Sequence, residues 1–209
     1  MHHRYNLIPF LLLLLYGPLV ALPGAGDHPV QARLLATVDA VVPGQVFKIG
    51  VELKMEEGWH TYWSFSGDAG LPIEIEWQSP DGYTTGPLQW PLPSKYEEEG
   101  GLTVYGYADE VLLAATVDGA GGLVVGDTLY LAAEVSWLVC RELCIPGDTS
   151  LVLALPVAKV NRPGAHQALF DRYAARVPGA LDERVELDYT VRGTRDLEIG
   201  LSFTRETST

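Results

Sequence analysis

Short β-type runs, each ended by glycine, proline or aspartate, follow one another from residue 30 to residue 157. In the run Phe47-Lys-Ile-Gly-Val-Glu-Leu-Lys54, apolar and polar residues alternate, which is typical of a strand that presents one face to a core. The predicted strands cover residues 31–41, 46–54, 73–77, 111–117, 128–139 and 150–157. Because helical periodicity does not appear before Pro163, these strands predict an all-β, antiparallel sandwich.

The pattern changes at Pro163, where a helical period begins. One short amphipathic helix is predicted over residues 163–177, with an apolar face of Ala165, Leu169, Tyr173 and Val177 and with Ala168 and Phe170 nearby. Residues 185–191 and 197–203 alternate again as two strands, which cannot form a stable sheet alone. We therefore expect a sandwich domain over 26–160, a helical connector over 161–180, and over 181–209 either added strands or the start of a second β domain.

The N-terminus has the features of a secretory signal peptide. Arg4 precedes an apolar stretch over residues 7–22, and small residues near Ala25 offer a cleavage site, so residues 1–25 are predicted to be removed. An uncleaved membrane anchor is the alternative. The apolar stretch is shorter than the ~20 residues that a bilayer core requires, which favours cleavage and export.

The chain is strongly acidic, with 14 Lys and Arg residues against 27 Asp and Glu residues and a formal net charge of −13 at pH 7. Such a surface repels nucleic acid and anionic lipid headgroups. The charge therefore argues against nucleic acid as a partner and against binding to anionic membranes.

Cys140 and Cys144 are the only cysteines of the chain. Bridged cysteines have Cα atoms roughly 4.4 to 6.8 Å apart, whereas residues i and i+4 of one strand lie about 13 Å apart. A bridge therefore requires a turn between them, and Pro146 and Gly147 just beyond fit such a break. Export would place the pair where disulfides form and persist.

Three interpretations of the pair remain open from the residues alone. In the first, the bridge is a structural staple. A disulfide that closes so short a loop stabilises the fold by only about 2 kcal/mol, against ~3 kcal/mol for a loop of about 15 residues. A metallochaperone would use Cys140, Cys144 and His60, but a structural zinc site normally takes four ligands. In a redox pair the outer thiol, Cys144, is the better nucleophile, because Cys140 ends a strand-like apolar run. Arg141 would favour its thiolate and Glu142 would oppose it.

The segment over residues 58–72 places four aromatic side chains within seven residues. In one interpretation they form a binding platform, with His60 as an acid or base. In the other, Trp59, Thr61 and Trp63 alternate into the interior of the sandwich and His60 makes a local hydrogen bond. The core interpretation is favoured, because a lone histidine without a nucleophile motif is weak support for a hydrolase.

A third segment, residues 90–107, is rich in proline, glycine and aromatic residues and is predicted to be a long ordered loop. The acidic run over residues 97–99 is either a solvated charge run or part of a cover over the cysteines. As a cover, its carboxylates would disfavour a thiolate and its aromatic rings would shield the bridge. The second alternative predicts a gate.

Several motifs together resemble one family, the N-terminal periplasmic domain of DsbD-type thiol:disulfide interchange proteins, and most closely its ScsB-like branch. The motifs are Gly58-Trp-His-Thr-Tyr-Trp63, Gly67-Asp-Ala-Gly-Leu-Pro72, Ile75-Glu-Trp77, Gln89-Trp-Pro91, Tyr105-Gly-Tyr107 and Trp137-Leu-Val-Cys-Arg-Glu-Leu-Cys-Ile-Pro-Gly147. The resemblance covers residues 30–157, and the cysteine segment is its most specific part.

The resemblance implies an immunoglobulin-like sandwich in the periplasm whose cysteine pair passes electrons from a transmembrane thiol donor to oxidised thioredoxin-fold proteins. Those partners include disulfide isomerases and proteins of cytochrome c maturation, and sulfur carries the electrons without a cofactor or metal. Cys144 is expected to form the mixed disulfide and Cys140 to resolve it. A cap loop over the pair is expected near residues 96–105, with Tyr96, Glu97, Glu98 and Tyr105 as its residues.

The family continues into a membrane domain that this sequence does not contain. We expect either a fragment, with the electron donor in the same chain, or a free-standing domain with a separate donor. The strands after residue 185 favour the fragment. An exported immunoglobulin-like binding module with a purely structural disulfide is the alternative function.

Overall fold

The computed structural model describes residues 28–119, 122–179, 185–192 and 196–203. The predicted signal peptide, residues 1–25, lies outside the described residues. The strands are β1 (Val30–Ala36), β2 (Phe47–Met55), β3 (His60–Gly67), β4 (Glu74–Gln78), β5 (Tyr83–Thr85), β6 (Ser94–Glu98), β7 (Leu102–Ala108), β8 (Glu110–Gly119), β9 (Thr128–Cys140), β10 (Cys144–Pro156), β11 (Val185–Arg192) and β12 (Asp196–Phe203), and the helix is α1 (Gln167–Ala174).

Two antiparallel sheets face each other and form an immunoglobulin-like sandwich, as predicted. The first sheet has the strand order β1-β2-β8-β5. The second has the order β10-β9-β3-β7-β6, with β4 also paired to β9. Strands β11 and β12 pair with each other as a two-stranded antiparallel sheet.

The core lies between the two sheets and follows from the alternation along each strand. On β9, the residues that point inward are buried: Leu129, Leu131, Ala133, Val135, Trp137 and Val139. They pack in one cluster with residues of the first sheet, among them Val51 and Leu113. The even-numbered residues of β9 therefore point to the opposite side, which we call the outer face of the second sheet. Cys140 is one of them.

The helix closes the sandwich and is shorter than predicted. Its buried residues are Phe170 and Tyr173, whereas Ala165 and Ala168 of the predicted apolar face are exposed. The hydroxyl of Tyr173 donates a hydrogen bond to the backbone carbonyl of Glu110, with 2.6 Å between the oxygens. This contact holds the helix against β8. No helix in the described part of the chain is long and apolar enough to cross a bilayer.

The segment predicted as a long loop, residues 90–107, instead contains a β-hairpin. Strands β6 and β7 pair in register, with Tyr96 opposite Val104 and Glu98 opposite Leu102. Gly100 and Gly101 form the turn with positive φ angles of 85° and 76°, which glycine adopts without steric cost. We call β6, this turn and β7 the cap hairpin. Strand β7 lies between β3 and β6, so the glycine-rich segment is part of the sheet itself.

Candidate functional site

The two cysteines lie at the end of the β9–β10 hairpin and are joined by a disulfide bond. Cys140 is the last residue of β9 and Cys144 the first of β10, and the two are direct cross-strand partners. Their Cα atoms are 4.1 Å apart, near the ~4.5 Å of a non-hydrogen-bonded pair in an antiparallel ladder. The required turn is made by residues 141–143. Pairing in the sheet therefore brings the sulfur atoms together.

The prediction that Pro146 and Gly147 break the chain is wrong. Both residues lie inside β10, opposite Leu138 and Trp137. Strand β10 is at the edge of the sheet, where a proline without an N–H group is tolerated. A Cβ atom at position 147 would lie 2.6 Å from Nε2 of His28 and 2.7 Å from Cε2 of Trp137, so the glycine makes room for both rings.

The two bridged cysteine residues differ in exposure. Cys140 is only 3% exposed, whereas Cys144 is exposed. Leu143, at the tip of the same hairpin, is 74% exposed. A nucleophile from solvent therefore reaches the bridge from the Cys144 side.

A cavity of about 380 Å³ separates the hairpin tip from the cap hairpin. Its walls are His60, Tyr96, Glu97, Glu98, Glu99, Cys140, Arg141, Glu142 and Cys144. Three of the four predicted cap residues are therefore close to the disulfide. Tyr105 does not line this cavity, and its ring lies 6.3 Å from that of Phe65.

Tyr62 is a site residue that sequence reasoning missed. Its hydroxyl lies 2.9 Å from Sγ of Cys140, 3.8 Å from Sγ of Cys144 and 2.7 Å from Oε1 of Glu98. Alternation could have revealed it, because Thr61 faces the core and its neighbour must then face the opposite side. Tyr62 thus belongs to the outer face, together with Cys140.

The tyrosine hydroxyl is held in a closed environment. Tyr62 is fully buried, and Gly70 of the following loop has a positive φ of 89° and lies against the ring, where a Cβ would overlap the ring carbons. Burial raises the pKa of Tyr62 above its ordinary value, and the hydrogen bond to Glu98 and the negative charge of that carboxylate raise it further. The hydroxyl therefore keeps its proton at neutral pH.

His60 also lies at the site and connects it to the cap hairpin. Its Nε2 atom is 3.0 Å from Oε1 of Glu98, and its ring stacks on Tyr96 with 4.9 Å between the centroids. His60 therefore makes a hydrogen bond, as predicted, but its partner is Glu98 on β6 and not a residue nearby in the sequence. The core interpretation fits its neighbours, because Trp59 and Thr61 are buried.

The charges around the disulfide are mostly negative. Four carboxylates line the cavity, those of residues 97–99 and of Glu142, and Arg141 is the cation among the lining residues. The guanidinium of Arg141 lies over the ring of Trp59, 4.9 Å from its centroid. Among the residues that the structure describes, no group of three or more His, Cys, Asp or Glu side chains is placed to hold a metal ion.

Three solved structures of bacterial proteins are similar to this chain. The N-terminal periplasmic domain of ScsB from Proteus mirabilis matches with a TM-score of 0.56 at 24% sequence identity, over 84% of this chain and 65% of that one. This likeness shows the fold, and the chain spans less than two thirds of that domain. The DsbD N-terminal domain of Neisseria meningitidis in the reduced form matches with a TM-score of 0.39 at 16% identity, over 64% of this chain and 90% of that one.

A third structure, the complex between the DsbD N-terminal and PilB N-terminal domains of Neisseria meningitidis, matches with a TM-score of 0.33 at 16% identity, over 57% of this chain and 80% of that one. No curated protein sequence matches significantly. The family model for the N-terminal region of the thiol:disulfide interchange protein DsbD matches residues 31–156. This match covers more than half of the chain and includes all ten strands of the sandwich, except for the first residue of β1, and both cysteines. The chain therefore belongs to the DsbD N-terminal family of thiol:disulfide interchange domains.

Proposed function

We propose that this chain is a periplasmic protein-disulfide reductase domain that relays electrons through Cys140 and Cys144. The observation that carries the proposal is the unequal exposure of the two bridged cysteines, with Cys144 an exposed residue and Cys140 a buried one. A bond that only staples a hairpin needs no such difference. A sulfur that must meet another protein has to be accessible.

The exchange reaction needs only the two thiols. The thiolate of Cys144 attacks one sulfur of the partner's disulfide, a bond forms between them, and the partner's second sulfur leaves as a thiolate. The thiolate of Cys140 then attacks Sγ of Cys144, which restores the bridge and releases the partner's first sulfur. Two electrons have moved to the partner, and no cofactor takes part.

The cap hairpin is the proposed gate of this reaction. Tyr96, Glu97 and Glu98 lie across the cavity from the disulfide, and Glu98 is tied to the sheet by Tyr62 and His60. These contacts support a cover that must move before a folded partner reaches Cys144. Tyr105, on β7 of the cap hairpin, is not assigned to the gate, because it does not line the cavity and its ring lies beside Phe65.

The electron donor in this proposal is a transmembrane thiol protein, in the same chain or in another one. The recipients are oxidised periplasmic thioredoxin-fold proteins, including disulfide isomerases and proteins of cytochrome c maturation. Membership of the DsbD N-terminal family supports both assignments. The acidic chain, with a net charge of −13, supports protein rather than nucleic acid partners.

Electron transfer can be tested with the reduced chain and an oxidised periplasmic thioredoxin-fold protein. We expect one partner disulfide to be reduced for each Cys140–Cys144 bridge that forms, because the exchange conserves electrons. Alkylation of free thiols followed by mass spectrometry measures both. The Cys144→Ser variant is the matched control and should transfer nothing. A partner that stays oxidised with the wild-type chain would contradict the proposed function.

A further inference from the structure

We propose that the hydroxyl of Tyr62 is a catalytic hydrogen-bond donor, which stabilises the Cys140 thiolate that forms when the disulfide opens. This inference rests on the proposed function and adds a catalytic group to it. It concerns the half of the cycle in which an electron donor reduces the bridge.

The unequal exposure of the two cysteine residues decides which sulfur leaves. An incoming thiolate can reach Sγ of Cys144, whereas Cys140 is only 3% exposed. Attack forms a bond between the donor sulfur and Cys144, breaks the bond between Cys144 and Cys140, and leaves the electron pair on Sγ of Cys140. A second thiolate of the donor then displaces Cys144 and becomes part of the donor's own disulfide. The two electrons from the donor end on the two cysteines.

The surroundings of Cys140 are unfavourable for a negative charge. It is buried in a small cluster with Tyr62 and Val104, against Ala69, Tyr96 and Leu138. A thiolate in apolar surroundings is destabilised, and the rate of exchange depends on how stable the leaving thiolate is. The site therefore needs a donor at Sγ of Cys140, or the bridge opens slowly.

Tyr62 supplies that donor. Its oxygen is 2.9 Å from Sγ of Cys140, and in the described part of the chain this is the one side-chain hydrogen bond to that sulfur. The ring is fully buried and cannot swing away. Because burial and Glu98 both favour the protonated phenol, the group remains a donor.

The hydroxyl has one proton and two close acceptors, since Sγ of Cys144 is farther away at 3.8 Å. Glu98 Oε1 lies at 2.7 Å and competes with Cys140 for the proton. His60 Nε2 lies 3.0 Å from the same carboxylate oxygen and can satisfy it instead. Removing the hydroxyl should therefore slow the opening of the bridge, and removing the carboxylate should accelerate it. Both changes remove the same contact between Tyr62 and the cap hairpin.

The experiment measures the rate at which dithiothreitol opens the bridge in the oxidised full chain, by acid quenching and alkylation. For Tyr62→Phe we expect a rate roughly 10- to 100-fold lower, the size expected for a hydrogen bond to a charged group. For Glu98→Ala we expect a faster rate, because the hydroxyl of Tyr62 then no longer shares its proton with a carboxylate. Unchanged thermal unfolding of both oxidised variants shows that the fold is kept. Site-specific 3-fluorotyrosine at position 62, a stronger donor, should accelerate opening, and this test stands if Tyr62→Phe does not fold.

The outcomes separate this inference from the proposed function. A Tyr62→Phe rate equal to that of the wild type, or an equal loss in Glu98→Ala, would show that the hydroxyl does not act on the leaving sulfur. A fluorotyrosine variant that opens no faster than the wild type would contradict the inference as well. A bridge that resists dithiothreitol in the wild type and in every variant would instead contradict the redox function itself.

Discussion

Cys140→Ala is expected to accumulate a mixed disulfide with an oxidised thioredoxin-fold partner, whereas Cys144→Ala is expected to form none. In the first variant the exposed Cys144 attacks the partner, and the thiol that would release it is missing. In the second the remaining thiol is that of Cys140, which is 3% exposed and cannot meet a folded protein. Non-reducing gel electrophoresis after acid quenching measures the trapped complex.

The two variants control for each other. Each removes one sulfur from the same hairpin and loses the same staple, about 2 kcal/mol in the chain-entropy model. A difference in trapping therefore reflects the position of the remaining thiol and not a loss of stability. Equal trapping by both variants, or stronger trapping by Cys144→Ala, would reverse or remove the assignment of roles.

The second large effect is expected from Gly106→Ala, which should destabilise the oxidised chain by about 3 kcal/mol, in the range for overpacked cores. Gly106 lies on β7, directly opposite Tyr62 on β3. A Cβ atom there would overlap the carbonyl oxygen of Thr61 and lie 3.1 Å from Cα of Tyr62. Because both contacts are with backbone atoms, β3 and β7 must move apart. This movement occurs next to the disulfide, since Tyr62 contacts Cys140.

The matched control for this substitution is Gly86→Ala. A Cβ at position 86 has the carbonyl oxygen of Thr116 as its nearest neighbour at 3.5 Å, an ordinary contact. We expect the free energy of unfolding to change by no more than about 1 kcal/mol, since the new methyl group has room and the unfolded chain loses conformational freedom. Chemical denaturation gives both values. Similar free energies of unfolding for the two variants would mean that β3 and β7 are not packed as closely as described.

Alternation and short apolar runs predicted six strands of the sandwich, namely β1, β2, β4, β8, β9 and β10. In β3, alternation predicted the inward face that contains Thr61 but not the opposite face, where Tyr62 is buried in the cluster around Cys140. A strand buried on both sides shows no polar alternation. The cap hairpin was not predicted for another reason, because its glycines are typical of loops. In the structure, Gly106 permits the close approach of β3, and Gly100 and Gly101 permit the tight turn.

The candidate site was predictable where the chemistry is local in sequence. The spacing of Cys140 and Cys144 predicted that a bridge requires a turn between them, and the apolar run that ends at Cys140 was enough to select Cys144 as the outer thiol. The contact between Tyr62 and Glu98 joins residues 36 positions apart. It depends on the sheet order that places β3 and β6 on either side of β7. Such a contact cannot be read from spacing along the chain.

The reduction potential of the Cys140–Cys144 bridge tests the redox function most directly. The oxidised chain is equilibrated with glutathione buffers of graded potential, and the free thiols are counted by alkylation. We expect a reversible transition at a potential above about −300 mV, in the range of exchangeable disulfides. A bridge that stays oxidised to below about −300 mV, and whose loss changes only the free energy of unfolding, would make it a structural staple and contradict the electron relay.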